Sequence, residues 1–333
     1  MLKNEGGFAM AFSLGELKLK HGLCLAPMAG YTDRAMRLVC HKYGAEYSVT
    51  EMVSAKAVVF GDKKTFSLAR ILPDEGPVAI QIFGSEPEIM AEAAEILLKS
   101  PEGAKAVAID VNMGCPVNKI FSNGEGSALM KNPDLIYRIT KAVSSAIDIP
   151  TTVKIRAGVN KDSINAIECA LAAEEGGASL LCIHGRTREQ MYGGAADREI
   201  IRNVKSNLQI PLIANGDIVD GGSALAMLRD TNADGIAIGR GAVGNPFIFR
   251  EILSALEGES FREPDLEERI NTALLQLGTA IEEKGERVAI PEARKQIALY
   301  LRSFRGAARI RAEINRATTY REVEIALKSA LNE

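Results

Sequence analysis

The stretch AVAIDVNMGCPVNKIFSNGEGSALM, residues 106–130, decides the fold. Its first seven residues are a short apolar run that closes on a polar side chain, Asn112. Cys115 follows beside Pro116, then Gly124 and Gly126, then a helix-like segment. A run this short, bounded by turn residues, has the form of a parallel strand covered on both faces rather than of a helix. Cys115 admits two roles at this point, a small apolar filler or a positioned proton donor.

Seven further runs share the form. They are LCLAPM (23–28), YSVTEM (47–52), PVAIQIF (77–83), TTVKIR (151–156), SLLCIH (179–184), PLIAN (211–215) and DGIAIG (234–239). Helical segments separate them. Ser85 is expected to cap the helix before EPEIMAEAAEILLKS, and Asn132 the one opening at Pro133. SINAIECALAAEEGG closes on glycines that suit a C-terminal cap. Eight strands alternating with helices predict an α/β fold, a (β/α)8 TIM barrel over residues 16–254, preceded by an N-terminal extension at 1–15. No G-x-G-x-x-G opens a helix after the first strand, which argues against a Rossmann domain. Past residue 255 the period becomes helical, predicting a small C-terminal helical domain over 255–333.

Polar groups at the C-terminal ends of barrel strands face the active site. Here those ends carry Pro27-Met28-Ala29, Glu51-Met52, Gln81, Asn112, Lys154 with Arg156, His184, Asn215-Gly216-Asp217 and Gly239-Arg240. Glycines after strands seven and eight suit a phosphate held by backbone N–H groups, with Arg240 as its partner; tight turns are the bland alternative. A lysine within an apolar strand needs a partner, either a barrel carboxylate or an electron-rich cofactor ring. His184 ends the sixth strand, and Arg186 and Arg188 follow at the mouth, free to meet ligand phosphates or simply solvated.

Of the 333 residues 47% are hydrophobic and 25% charged, a globular balance with a net charge of -3. Between Arg287 and Arg321 stand nine Lys or Arg against two acids, Glu292 and Glu313, a local balance of +7. A basic end on an acidic body predicts an anionic partner there. Five cysteines without close pairing fit a reducing compartment, and the start of the chain reads as no signal peptide, so a cytoplasmic location is expected. No spacing suits a metal and no apolar run suits a membrane.

Taken in order, APMAGYTD (26–33), NMGCP (112–116), GEGSALMKNP (124–133), VKIRAG (153–158), HGRTR (184–188), ANGDI (214–218) and IGRGA (238–242) resemble the tRNA-dihydrouridine synthases, most nearly their bacterial B-type branch. ARKQIALYLRSFRGAARIRAEINRAT resembles that family's tRNA-binding helical domain. The resemblance implies an FMN enzyme that reduces the C5=C6 bond of a tRNA uridine, usually in the D-loop, with NADPH or NADH as electron source. It implies tRNA as partner, and neither membrane nor metal nor protein partner. Pro27, Met28 and Ala29 would contact the flavin, Gln81 and Lys154 would hold its ring, and His184 would lie close. Asn215, Gly216, Asp217, Gly239 and Arg240 would hold its ribityl and phosphate end. Cys115 would be the general acid and Asn112 would orient the uracil. Arg156, Arg186, Arg188, Arg302, Arg305, Arg309, Arg311 and Arg316 would meet RNA.

The pattern departs at Phe247 and near Leu299, where many relatives carry Trp, and at Gln296, where many carry His. These departures are expected to bear on tRNA docking. Competing readings are a flavin barrel dehydrogenase of a free small molecule and a non-catalytic RNA-binding protein.

Overall fold

The computed structural model describes residues 12–302 and 304–332. Residues 1–11, most of the expected N-terminal extension, lie outside the described residues. Eight parallel strands close into a ring: β1 (Leu23–Leu25), β2 (Tyr47–Val49), β3 (Val78–Phe83), β4 (Ala108–Asn112), β5 (Thr151–Arg156), β6 (Leu180–His184), β7 (Leu212–Asn215) and β8 (Gly235–Ile238). β8 returns to β1 with Ile238 opposite Leu25, which completes the TIM barrel. All eight expected strands are present. One two-residue strand, Val53–Ser54, adds to β3 and was not expected.

The pleat sorts each strand into two faces. Ile80, Ile82, Ile109, Val111, Val153, Ile155, Leu181 and Ile183 join the layer under the helices. The alternate residues Cys24, Tyr47, Ala79, Ala108, Leu180, Cys182, Ile213 and Ala237 fill the barrel interior. Leu14 and Leu19 join that inner cluster from a hairpin of Phe12–Leu14 with Leu17–Leu19. Leu14, with Phe12 beside it, therefore packs against the barrel interior from the N-terminal side of the expected boundary at 16. The inner face turns polar toward the C-terminal ends, where Gln81, Asp110, Asn112, Thr152, Lys154, Arg156, His184 and Asn215 take over.

Local signals mostly act as expected. The Asn132 side chain accepts from Leu135 N at 3.2 Å, with Pro133 at the first helical position. Gly176 caps Ala166–Glu175. Ser85 does not cap its helix; the N-cap is Glu86, without a side-chain bond, before Pro87. Pro87 has no amide proton to satisfy, so that end needs less from a cap.

The expected domain break at 255 falls inside helix Ile248–Glu257, which packs on the barrel helix Gly221–Thr231. Gly258 ends it at φ 71°, and the helical domain begins with Leu266–Lys284. That domain buries Ile270, Leu277, Ile297, Tyr300, Ile310, Ile314 and Leu327 in a core of its own, and Phe247 of the barrel is part of it. Its seam runs along the loops after β1 and β8. Lys284 meets Asp33 at 2.7 Å, Gln296 donates to Tyr31 O at 3.4 Å, and Tyr43 bonds Thr272 at 2.8 Å and stacks edge-on to Phe247 at 4.5 Å. A Cβ on Gly244 would stand 2.4 Å from that of Leu299. Phe247 and Gln296 are thus buried between the two units, and Leu299 packs there too. The departures at these positions concern interdomain packing, not an RNA-facing surface. No helix among the described residues is long and apolar enough to cross a membrane.

Candidate active site

The C-terminal mouth of the barrel is organised by one hydrogen-bonded chain. Thr152 Oγ1 donates to Asp110 Oδ1 at 2.5 Å, and Gln81 Nε2 to Asp110 Oδ2 at 2.7 Å. Asn112 Nδ2 then donates to Gln81 Oε1 at 2.8 Å. Asn112 Oδ1 in turn accepts the backbone N–H of Cys115 at 2.9 Å and of Gly114 at 3.2 Å. An anion at one end thus fixes which way both carboxamides face, since a carboxylate accepts only from the amide NH2. Asp110 is 3% exposed, and burial raises its pKa. It was not among the expected site residues; its only signal is a charge at an inward position of an otherwise apolar strand.

The cysteine loop is also held from its far side. Ser127 donates to Cys115 O through Oγ at 2.7 Å and through its backbone N–H at 3.2 Å. Gly126, at φ 60°, lets the chain pass: a Cβ there would stand 3.0 Å from both Cys115 Cβ and Ile120 Cγ2. The GEGS segment is therefore a clasp on Cys115. All five cysteines are free and buried. Burial pushes the Cys115 thiol up, against the pull of Lys154 and Arg156, so it is protonated at neutral pH.

Lys154 lies opposite Asn112 in the β4–β5 register and donates to Asn215 Oδ1 at 3.3 Å. Burial pulls its pKa down. Asn215 is fixed in turn by donating to Ala237 O at 2.7 Å. His184 Nδ1 accepts the Arg186 N–H at 3.1 Å, which leaves the proton on Nε2. Burial, and then Lys154, Arg156, Arg186 and Arg240, push His184 down to about 2, so the ring is neutral.

Three expected contacts are instead committed within the protein. Arg156, 6% exposed, donates to Gly114 O at 2.8 Å, Thr187 O at 3.1 Å and Met191 O at 3.4 Å, tying the cysteine loop to the loop after β6. Arg186, 2% exposed, pairs with Asp217 at 2.8 Å and donates to Gly193 O and Gly194 O. These two arginines were expected to touch RNA; loop carbonyls occupy them. Asn112 was expected to orient the uracil, yet both ends of its carboxamide serve the scaffold. Asp217, at φ 52°, also accepts from Ala196 N at 2.8 Å, and despite its burial Arg186 holds its carboxyl below the usual range.

Arg240 is exposed at the mouth, 3.6 Å from Asp217 and 4.5 Å above the Tyr192 ring. Pro27, Met28 and Ala29 continue β1 into the mouth, where a Cβ on Gly239 would meet Met28 Sδ at 3.5 Å. Gly216, at φ 129°, brings backbone to His184: a Cβ there would lie 3.7 Å from His184 Nε2. Of the ammonium protons of Lys154 one is used among the described residues, and His184 Nε2–H has no partner among them. The donors left to a ligand, Lys154, His184 Nε2–H and the exposed Arg240, with backbone opened at Gly216 and Gly239, fit an electron-rich planar ring that bears a phosphate tail. No metal-binding group of His, Cys, Asp or Glu occurs among the described residues.

On the helical domain, Arg302, Arg305, Arg311 and Arg316 are exposed and carry no ion pair among the described residues. Arg309 pairs with Glu313 at 2.6 Å.

The fold and the sequence each have counterparts among known proteins. The barrel resembles that of morphinone reductase, with a TM-score of 0.53 at 14% identity over 79% of this chain and 92% of that one. It also resembles histamine dehydrogenase from Rhizobium sp. 4-9, with a TM-score of 0.58 at 12% identity over 76% and 48%. Such identities speak to the fold alone. tRNA-dihydrouridine synthase B of Pasteurella multocida is 40% identical over 96% of this chain and 95% of its own. That of Shewanella oneidensis is 40% identical over 93% and 95%. A sequence model described as Dihydrouridine synthase (Dus) matches residues 24–333, and the chain belongs to that family.

Proposed function

We propose that this protein reduces the C5=C6 bond of a uridine in tRNA, with FMN as its cofactor and NADPH or NADH as electron source. The observation that carries the reading is the buried, protonated thiol of Cys115, held by an amide chain at the same barrel mouth as Lys154, His184 and Arg240.

Pro27, Met28, Ala29, Gln81, Lys154 and His184 hold the flavin ring in this reading. Asn215, Gly216, Asp217, Gly239 and Arg240 hold its ribityl and phosphate end. When bound, FMN supplies the hydride that uracil C6 receives. Cys115 Sγ gives its proton to C5, and its S–H pair remains on sulfur as thiolate. Lys154 and Arg156 are the charges that stabilise that thiolate until water returns the proton. A thiol whose pKa lies above about 8.5 is a competent acid at neutral pH and a poor adventitious nucleophile. Asn112 acts on the acid by holding its loop. Arg302, Arg305, Arg311 and Arg316 grip RNA phosphates while the target base swings out of its stack into the mouth.

The test is direct. The purified protein, NADPH and an unmodified tRNA transcript are incubated, and the nucleosides are resolved by mass spectrometry. Dihydrouridine appears if the reading is right. A yellow, NADPH-oxidising protein that leaves tRNA uridine intact contradicts it.

A further inference from the structure

We infer that the loops after β4 and β6 carry a clamp for the RNA sugar–phosphate backbone beside the catalytic thiol, built from Lys131 and Arg188 on Phe121, with Lys119 at its edge. The inference rests on the function proposed above. Lys131 Nζ stands 4.5 Å, and Arg188 Cζ 3.9 Å, from the Phe121 ring centroid. Together these distances cap the separation of the two charges at 8.4 Å. That is about one Debye length at physiological salt, so one phosphate group can lie within reach of both charges. Asn118 accepts from Arg188 NH2 at 2.5 Å and keeps the guanidinium on the ring, while Arg188 Nε is buried without a partner. Among the described residues, Lys119, Lys131 and Arg188 form no ion pair with a carboxylate. Most other charged groups near the mouth are compensated: Lys56 by Glu86 at 2.5 Å, Arg186 by Asp217 at 2.8 Å and Lys284 by Asp33 at 2.7 Å. The Phe121 ring holds two cations in place, and one buried donor of the pair is unfilled, a site that offers a phosphate charge-assisted hydrogen bonds.

Position makes that anion the RNA strand. Phe121 lies on helix Asn118–Ser122, immediately past the Cys115-Pro116-Val117 turn, and Ile120 of that helix packs with Cys115 around Gly126. Phe121 and Lys119 are therefore placed by the same packing that holds the acid. The helical domain sits on the loops after β1 and β8, whereas the clamp follows β4 and β6 on the other side of the ring. RNA lying across the mouth is held by exposed arginines on one side and by this cluster on the other, with the extruded base between them. Lys119 also lines a surface cavity of about 550 Å³ with Ser54, Phe83 and Asn123, which leaves room for the strand to continue past the clamp.

The test uses the full-length, flavin-loaded protein with Lys119→Gln, Lys131→Gln and the double substitution. tRNA affinity is measured across a salt series, and flavin reduction by NADPH is followed by absorbance. The double variant is expected to bind tRNA at least several-fold more weakly at low salt. The slope of log Kd against log salt should fall by about 0.7–0.9 per lost phosphate contact. Flavin content and its reduction by NADPH should stay at the level of the unsubstituted protein. An unchanged slope and affinity overturns the clamp. A loss confined to NADPH reduction assigns the cluster to the dinucleotide and equally overturns it. Should the proposed function itself fail, the unsubstituted protein forms no dihydrouridine while the binding slopes remain readable, so the two failures are distinct.

Discussion

Asp110→Asn is the sharpest probe of how the mouth is held together. The carboxylate accepts from Thr152 at 2.5 Å and from Gln81 at 2.7 Å, and it is buried. Asparagine keeps the shape but has one oxygen. If that oxygen keeps Thr152, its NH2 faces the NH2 of Gln81. Turning Gln81 over repairs that contact and sets its NH2 against Asn112 Nδ2. Turning Asn112 as well takes its oxygen from the N–H groups of Gly114 and Cys115. If the oxygen keeps Gln81 instead, the NH2 donates to the Thr152 hydroxyl, which must then send its own proton elsewhere. The arrangements that leave one buried donor unpaired cost about 1–3 kcal/mol. Neutralising the side chain also returns part of the desolvation that raises the Asp110 pKa, so the net loss should fall near the low end, about 1 kcal/mol. Activity should suffer more than stability, because a displacement of about 1 Å at a reacting group costs up to roughly 10²-fold. The assay pairs urea unfolding with single-turnover kinetics, reading flavin reduction and dihydrouridine formation separately. The expected result is a small stability loss, near-normal flavin reduction and slow uridine reduction. Uridine reduction at the unsubstituted rate would refute the chain from Asp110 to Cys115.

Lys154→Met removes the ammonium that meets Asn215 at 3.3 Å, and should weaken FMN retention or slow flavin reduction; unchanged flavin content and kinetics would contradict its role. Gly126→Ala forces a side chain to φ 60° with its Cβ 3.0 Å from Cys115 Cβ; it should cost about 1–2 kcal/mol and depress uridine reduction more than flavin binding, read by the same two assays. His184 at about 2 and His41 at about 4 are both depressed chiefly by burial. Between those values and the unfolded pKa of about 6.5 the unfolded chain binds more protons, so their stabilisation is whole above pH ~6.5 and is lost as pH falls below it. Urea midpoints should therefore drop from about pH 6.5 downward, and His184→Gln should flatten the slope.

The eight strands were legible because each is apolar on the face under the helices and, in its lower half, on the inner face as well. The same feature hid the site. A run such as AIDVN looks uniformly buried, yet its alternate residues Asp110 and Asn112 point into the polar mouth. Cys115, Gln81, Lys154, His184 and Arg240 could be picked out by their places at strand ends. Arg156 and Arg186 could be located, but their bonds are to carbonyls of loops distant in sequence, which no local pattern announces. Likewise Phe247 and Gln296 read as surface variation until the helical domain is seen to bury them. That burial also makes the barrel and helical domain one energetic unit: removing the latter would uncover Phe247 and release Asp33 from Lys284.

The account depends most on a proton carried by sulfur, and Cys115→Ala examines it alone. With flavin bound, tRNA present and NADPH in excess, the variant should retain flavin and its reduction while dihydrouridine formation, followed by mass spectrometry, falls by about 10²-fold or more. Dihydrouridine accumulating at the unsubstituted rate would contradict the account.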